Sequence, residues 1–415
     1  MNVSHYVSIS VLVFLSFNQK SVFASESALS ILPSETVVRK VFEGIPALRM
    51  SSLGVDLASS NKQRLDAGHY EWTLRTGLNH RTDQLGDRFQ EQELLIERPV
   101  RWFGKADKDR AIGEKGIDVA KASYADVWHE TSRVLMKDWF DSIREIVSVK
   151  RLQEQLEVTS TLRAVAEKRV KAGDAAKLEL LLADTEYQRV LAMLQQALQR
   201  EESALQVLRT NYPGLPMPEC NDLPEPKILT EPVETWMSKI MGDNHELELA
   251  QAESDYIGLQ AARISRDKIP DPTVGFRISR ERNGQERIFG VSISIPFSGE
   301  GRNSESASAF LRARMADEKI KQTEMKVNLA AKKAITDSQL SYTSWKTFDI
   351  VRLQSQQQAA LVLTAYKLGE ASLTDALNTR RIALDATQMA QSAQIDALMA
   401  FARLHLDAHL IWAFD

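Results

Sequence analysis

His405 and His409 stand four residues apart with Asp407 between them, a spacing that puts two imidazoles on one helix face and could begin a metal site. Two ligands without a third nearby leave such a site incomplete, so the pair reads as surface or interhelical histidines. His129-Glu130 and His245-Glu246 each place an acid beside a histidine, but both lack the second histidine of a zinc-protease helix. Cys220 is the one cysteine, sits in a Pro-rich stretch and cannot form an internal disulfide. Phosphate-binding loops, dinucleotide fingerprints, nucleophile elbows and cysteine pairs are absent. The chain reads as no enzyme, with neither a cofactor nor a metal site.

What the sequence does contain, it contains twice. Pro99-Val-Arg-Trp-Phe-Gly104-Lys105 closes one strand-like run, and Pro296-Phe-Ser-Gly-Glu-Gly301-Arg302 closes another 197 residues later. Val170-Lys171-Ala-Gly173-Asp174-Ala-Ala176 is answered 196 residues later by Tyr366-Lys367-Leu-Gly369-Glu370-Ala-Ser372. Landmarks that hold register this closely over a long stretch argue one structural unit used twice. The expected organisation is a signal peptide over 1–24, a first repeat over 25–210, a Pro-rich linker over 211–232 and a second repeat over 233–415.

Of the 415 residues, 43% are hydrophobic and 26% charged, and the net charge is -4. That balance offers no footprint for nucleic acid. Residues 7–17 form a short apolar run followed by small residues at Val22 and Ala24, which suits an export signal. Eleven residues are too few to span a bilayer core of about 30 Å. No long apolar run follows, so an exported chain of this kind could enter a membrane only as a β-barrel.

The elements that would build such a barrel are short. Strands are expected near 70–79, 90–99, 272–280 and 287–296. Tyr70, Trp72, Leu74, Thr76 and Leu78 alternate with Glu71, Thr73, Arg75 and Gly77; Val274, Phe276 and Ile278 alternate with Gly275, Arg277 and Ser279. Phe289, Val291, Ile293 and Ile295 do the same in the last strand, whereas Gln90 to Arg98 alternates poorly. Apolar-out, polar-in alternation marks a transmembrane barrel strand, although a half-buried strand of a soluble sheet has the same pattern. After Gly104 and Gly301 come two unbroken helical stretches of nearly seventy residues, on the order of 100 Å each at 1.5 Å per residue. Shorter helices near 34–68, 177–210, 233–267 and 374–412 flank them, with turns near 171–176 and 367–372. The small, polar and apolar mixture of the long helices suits a coiled coil.

With these parts in place the chain resembles the TolC-type outer-membrane channel family of tripartite efflux systems. The resemblance rests on the Lys171–Leu181 and Tyr366–Leu377 turns and on the two Pro-to-Gly segments. Segment form and length are similar to the branch that serves cobalt, zinc and cadmium or copper and silver pumps. The family implies a mainly α fold with short β: a homotrimer whose 12-stranded transmembrane β-barrel continues into a 12-helix periplasmic α-barrel. It implies the outer membrane of a Gram-negative cell, lipid around the barrel, a periplasmic adaptor, and an inner-membrane transporter of RND type that supplies the energy. The helical turns would then meet the adaptor through Arg169, Lys171, Gly173, Asp174, Tyr366, Lys367, Gly369 and Glu370, although the same residues also read as helix caps. The family's acidic gate falls on Asp375, with Asn378 where a second acid is expected and Glu179 as the first-repeat counterpart. Glu179 also reads as an ordinary solvated acid. A type I protein-secretion duct, a periplasmic adaptor and a pore-less coiled-coil scaffold are the competing readings.

Overall fold

The computed structural model describes residues 28–82, 84–219 and 222–414. The expected signal peptide and Cys220 lie outside them. The chain runs α1 (Glu35–Phe42), α2 (Pro46–Ala67), β1 (Thr73–Thr82), β2 (Arg88–Pro99), α3 (Lys105–Lys171) and α4 (Lys177–Asn211). After the linker come α5 (Val233–Gly242), α6 (His245–Arg266), β3 (Thr273–Glu281), β4 (Glu286–Ser294), α7 (Glu300–Leu368) and α8 (Leu373–Asp407). It is mostly helical, with one short antiparallel sheet.

The long helices α3 and α7 are 67 and 69 residues, uninterrupted. Neither contains proline, so nothing removes a ladder donor or clashes with the preceding turn. The flanking helices depart from expectation. The stretch near 34–68 is two helices, because Gly44 and Ile45 leave helical geometry and Pro46 restarts the next helix at its first turn, where a missing N–H costs nothing. The stretch near 233–267 breaks at Asp243-Asn244, where the Asn244 side chain accepts from the Leu247 N–H at 3.0 Å and caps α6. α8 stops at Asp407 rather than 412, and His409 and Trp412 follow with left-handed φ of 56° and 50°. β1 starts at Thr73, leaving Tyr70 to Trp72 ahead of it.

Two compact units cut across the repeats. One holds residues 28–38, 135–232 and 334–405; the other holds 39–134, 233–333 and 406–414. Each takes half of every repeat, since α3 and α7 each contribute to both. The first carries the helical turns. Its core includes Phe140, Ile143, Ile395 and Leu398, all fully buried. The Pro-rich linker lies on it: the Gln394 amide donates to the carbonyls of Leu223 and Pro224 at 3.3 and 3.0 Å. The second unit carries the sheet.

In that sheet the order is β1-β2-β3-β4, every neighbouring pair antiparallel. β2 and β3 come from different repeats, so the duplicated hairpins are joined edge to edge. β1 and β4 are left as open edges.

Candidate functional site: an apolar sheet face, a charged junction and two helical turns

The register assigns every strand residue to a face. Leu74, Ile96, Phe276 and Val291 form one row across the sheet; Leu94, Ile278 and Phe289 form the next, and Val274 and Ile293 pair below. This apolar band is the uncovered side: Phe289, Val291 and Ile293 are 76%, 70% and 67% exposed. It is bounded at one end by Gln92, Arg280 and Arg287, and at the other by Trp72, whose ring carries the Arg98 guanidinium at 5.6 Å. The opposite face is polar. Arg75 meets Glu97 at 3.0 Å, Arg81 meets Glu91 at 2.8 Å and Arg277 meets Glu93 at 3.2 Å. Glu281 and Glu286 share that face, so acids outnumber arginines on it. Gly275 and Ser279, also there, are buried.

A sheet in water hides its apolar face and exposes its polar one. Here the apolar face is left open as well as the polar one, an arrangement that suits lipid on the apolar side and water on the charged side. β2, whose alternation is obscured in sequence by the run Leu94-Leu95-Ile96, obeys the same division: Leu94 and Ile96 point to the apolar side and Leu95 to the polar side. No helix among the described residues is long and apolar enough to cross a membrane.

Where the strands pass into helices, charges are buried. Lys105, the first residue of α3, is 1% exposed; its amine lies 2.8 Å from both Asp267 and Asp271 and donates to the Ile269 carbonyl at 2.8 Å. Arg263 reaches Asp109 and Asp267, each at 2.6 Å. Arg101 binds Asp109 at 3.0 Å and also donates to the last carbonyls of α2, on Leu65 and Asp66. Asp271 further accepts from the Trp102 N–H at 2.8 Å and the Tyr70 hydroxyl at 2.5 Å. Arg302, the repeat counterpart of Lys105, donates to the Asp267 carbonyl at 2.7 Å. Burial pushes the Asp267 and Asp271 carboxyls up, but the hydrogen bonds from Lys105, with Arg263 on the former and Tyr70 on the latter, outweigh it and hold both below the usual carboxylate range. Burial and Asp271 push the Tyr70 hydroxyl up to about 12. The sequence landmarks contain Lys105 and Arg302; the acids that bind Lys105, Asp267 and Asp271, lie in the other repeat and carry no local signal.

The two helical turns match atom for atom. The Gly173 N–H donates to Val170 and the Asp174 N–H to Arg169; 196 residues on, Gly369 donates to Tyr366 and Glu370 to Ala365. This is the paired closure in which the residue after the helix takes a left-handed backbone, and φ is +76° at Gly173 and +83° at Gly369. A Cβ at either glycine would meet open space, so the demand for glycine is conformational. Beneath the turns, Leu162 and Ala166 of α3, Ala183 of α4, Tyr366 of α7 and Leu373, Ala376 and Leu377 of α8 form one core cluster.

Tyr366 is therefore a core residue, 4% exposed, which corrects its expected role as a surface contact: its ring supports the turn from beneath. Arg169 lies over that ring at 5.4 Å and reaches Asp174 at 2.9 Å and Glu179 at 3.5 Å. Lys171 is exposed and pairs with Glu167 at 2.6 Å. Asp174, Lys367, Gly369 and Glu370 are exposed. Asp375 and Asn378 are exposed one turn into α8. The Asp375 N–H donates to the Ser372 Oγ at 3.1 Å, and that hydroxyl donates to the Asp375 carboxylate at 2.6 Å. Ser372 thus caps α8, whereas Ala176 starts α4 with no side-chain cap. Ser-x-x-Asp was the available signal for this cap. Replacing Gly369 by Val should cost about 1–2 kcal/mol locally, because a β-branched residue resists the left-handed region.

His405 and His409 part company, correcting their expected shared helix face. His405 sits within α8 with its Nδ1 2.8 Å from the Phe401 carbonyl, and His409 lies past the helix end. Among the described residues no group of three His, Cys, Asp or Glu side chains is arranged to hold a metal ion.

No protein-family model matches the sequence, and no curated protein matches it. Solved structures do. The CmeC outer membrane channel of Campylobacter jejuni superposes with a TM-score of 0.74 at 12% identity, covering 99% of this chain and 94% of that one. CusC, whose structures follow folding and transmembrane channel formation, gives 0.73 at 14% identity over 90% and 92%. The outer membrane protein VceC of Vibrio cholerae gives 0.72 at 15% over 91% and 95%. The chain thus has the fold of outer-membrane channel proteins, along nearly its whole length.

Proposed function

We propose that this chain is the outer-membrane channel of a tripartite efflux pump: a passive exit duct for metal ions or small toxic compounds, reached through a periplasmic adaptor and energised by an inner-membrane transporter of RND type. The observation that carries the reading is the sheet itself, one face an apolar band left open and the other lined by charge pairs. Four strands with two open edges cannot close a barrel in lipid, since barrels begin at about eight strands and unpaired edges are costly there. Three copies would supply twelve strands, and α3, α4, α7 and α8 together with the shorter helices would supply the helical wall beneath. α7 favours this: Thr336, Leu340, Thr343, Thr347, Ile350 and Leu361 belong to an exposed seam with steps of three and four that bears no charge, as a helix from a second copy would require.

The test is deletion of the gene followed by susceptibility to zinc, cobalt, cadmium, copper and silver beside dyes, detergents and antibiotics. Sensitisation to the metals alone makes it a metal-pump duct, and sensitisation to the organic compounds makes it a drug exit. No change in either sinks the efflux reading in favour of protein secretion.

Within this reading the turns around Gly173 and Gly369 meet the adaptor, through exposed Lys171, Asp174, Lys367 and Glu370 beside the Arg169 anchor. Gly369→Val is expected to abolish export while outer-membrane trimers persist; normal export in that variant would count against the contact. Asp375 is the gate acid, with Glu179 its counterpart in the first repeat and Asn378 at the place of a second acid. Asp375→Ala should weaken cation preference and block by multivalent cations in single-channel recordings. Ser372→Ala, which loses the cap at about 1 kcal/mol but keeps the carboxylate, should leave both unchanged. Equal selectivity in wild type and Asp375→Ala would remove this residue from the gate.

A further inference from the structure

Three histidines that look unrelated in sequence meet in the sheet-bearing unit. The ring of His409 lies 4.6 Å from that of His245 and 5.0 Å from that of His129, and His129 and His245 are 6.1 Å apart, centroid to centroid. One comes from α3, one is the first residue of α6, and one sits in the segment that follows α8. Their nitrogens do not converge as a metal-ligand set among the described residues, which leaves proton uptake as the chemistry open to them near neutral pH.

The segment bearing His409 is held by contacts within this unit. The Trp128 indole donates to the Trp412 carbonyl at 3.0 Å, Arg39 donates to the carbonyls of Ala413 and Phe414 at 3.0 and 3.3 Å, and Phe414 packs on Tyr124 and Trp128. Two non-glycine residues within it, His409 and Trp412, have left-handed backbones. Such a conformation persists only where the surroundings impose it.

We propose that the rings of His129, His245 and His409 form an acid-sensitive clasp, holding residues 406–414 against α3 and α6 while neutral and releasing them on protonation. The charges facing the cluster favour that direction. From α3, Arg133 takes both Asp407, at 2.9 Å, and Glu130, so the carboxylate 3.3 Å from His129 is already committed. From α6, Glu246 is bound to Lys326 of α7 at 2.6 Å, and Glu248, largely exposed to solvent, stands 3.5 Å from His245. Burial, with Glu130 and Glu246 adding to it, pushes the Asp126 carboxyl up from its ordinary value, against the pull of His129 and Arg133. Burial, with Arg133 and His245 adding to it, depresses His129 below its ordinary value of 6.5 despite Asp407. The sign follows: a histidine neutral in the folded state stabilises it fully above about 6.5, and that contribution drains away as pH falls below that value.

Hydrogen–deuterium exchange of the full-length protein in detergent, with chelator present throughout, tests the clasp. Between about pH 7.5 and 5.5, protection of peptides covering 406–414 should fall at least about tenfold beyond the intrinsic rate change, while β3 and the core of α3 stay protected. In His129→Gln, and independently in His409→Asn, whose side chain tolerates the left-handed backbone, most of that pH dependence should vanish. Equal wild-type protection at both pH values overturns the proposal, as does undiminished pH dependence in whichever of the two variants assembles. Neither result bears on the export phenotype of the deletion strain, so failure of the clasp and failure of the channel reading are separable.

Discussion

Val291→Arg is expected to remove most of the protein from the outer membrane. Val291 lies in the middle row of the apolar face, opposite Phe276 and 70% exposed, where no other part of the chain can shelter a guanidinium. An arginine near the midplane of a barrel's lipid face costs about 2–4 kcal/mol, and the proposed trimer would meet that cost at three positions, about 6–12 kcal/mol in all. Insertion yields should fall by orders of magnitude, measured as heat-stable trimer in outer-membrane fractions. Ile288→Arg is the control: the same class of change, three residues earlier on the same strand, but on the polar face, where Glu286 lies two residues away. It should insert normally. Equal yields for the two variants would mean that the exposed apolar face does not meet lipid, and the barrel reading would fall with it.

The second large effect is expected at Lys105. Its truncation to Ala leaves Asp267 and Asp271 facing each other's charge at the base of the sheet, and breaking a buried pair costs about 3–5 kcal/mol; the lower end applies because Asp267 is 39% exposed to water. The melting temperature of the detergent-solubilised protein should drop markedly, and Asp271→Asn in the same chain should recover part of it. A pH series adds a signature. Both aspartates are held below their ordinary value of 3.8, so the network stabilises the fold fully above about pH 4 and loses that contribution as pH falls through the depressed values. Lys105→Ala should flatten this acid limb. A melting temperature unchanged from wild type would show that the junction does not hold the sheet to the helices.

How far these features were legible in sequence follows from the range of the interactions that create them. The helical turns are local devices: Gly173 and Gly369 donate three positions back, Asp174 and Glu370 five, and the two copies show it. Strand alternation is local as well, so three of four strands show it clearly, and β2, expected near 90–99 and found there, blurs it only because Leu95 puts a third apolar residue between two faces. Which face is uncovered is a tertiary fact, absent from any alternation. Tyr366 beside a turn glycine looks like a surface contact until the other three helices close over it. The breaks at Gly44-Ile45 and Asp243-Asn244 carry the ordinary punctuation of a proline and an asparagine cap, which a single helix over 34–68 or 233–267 leaves without a purpose. His129, His245 and His409, like Lys105 and Asp271, are brought together by separations of more than a hundred residues, for which one sequence offers no period and no spacing.

The two open edges of the sheet carry a genetic consequence. If each copy finishes its neighbour's sheet, a closed ring is only as sound as its weakest member, and a defective edge cannot be diluted out. A cell that makes equal amounts of intact chain and of a chain unable to pair through β1 would assemble wholly intact rings in only about one case in eight. Mutations at β1 or β4 should therefore behave as dominant, poisoning the normal gene product, whereas losses at the turns, which leave the ring closed, should show a graded effect with dose.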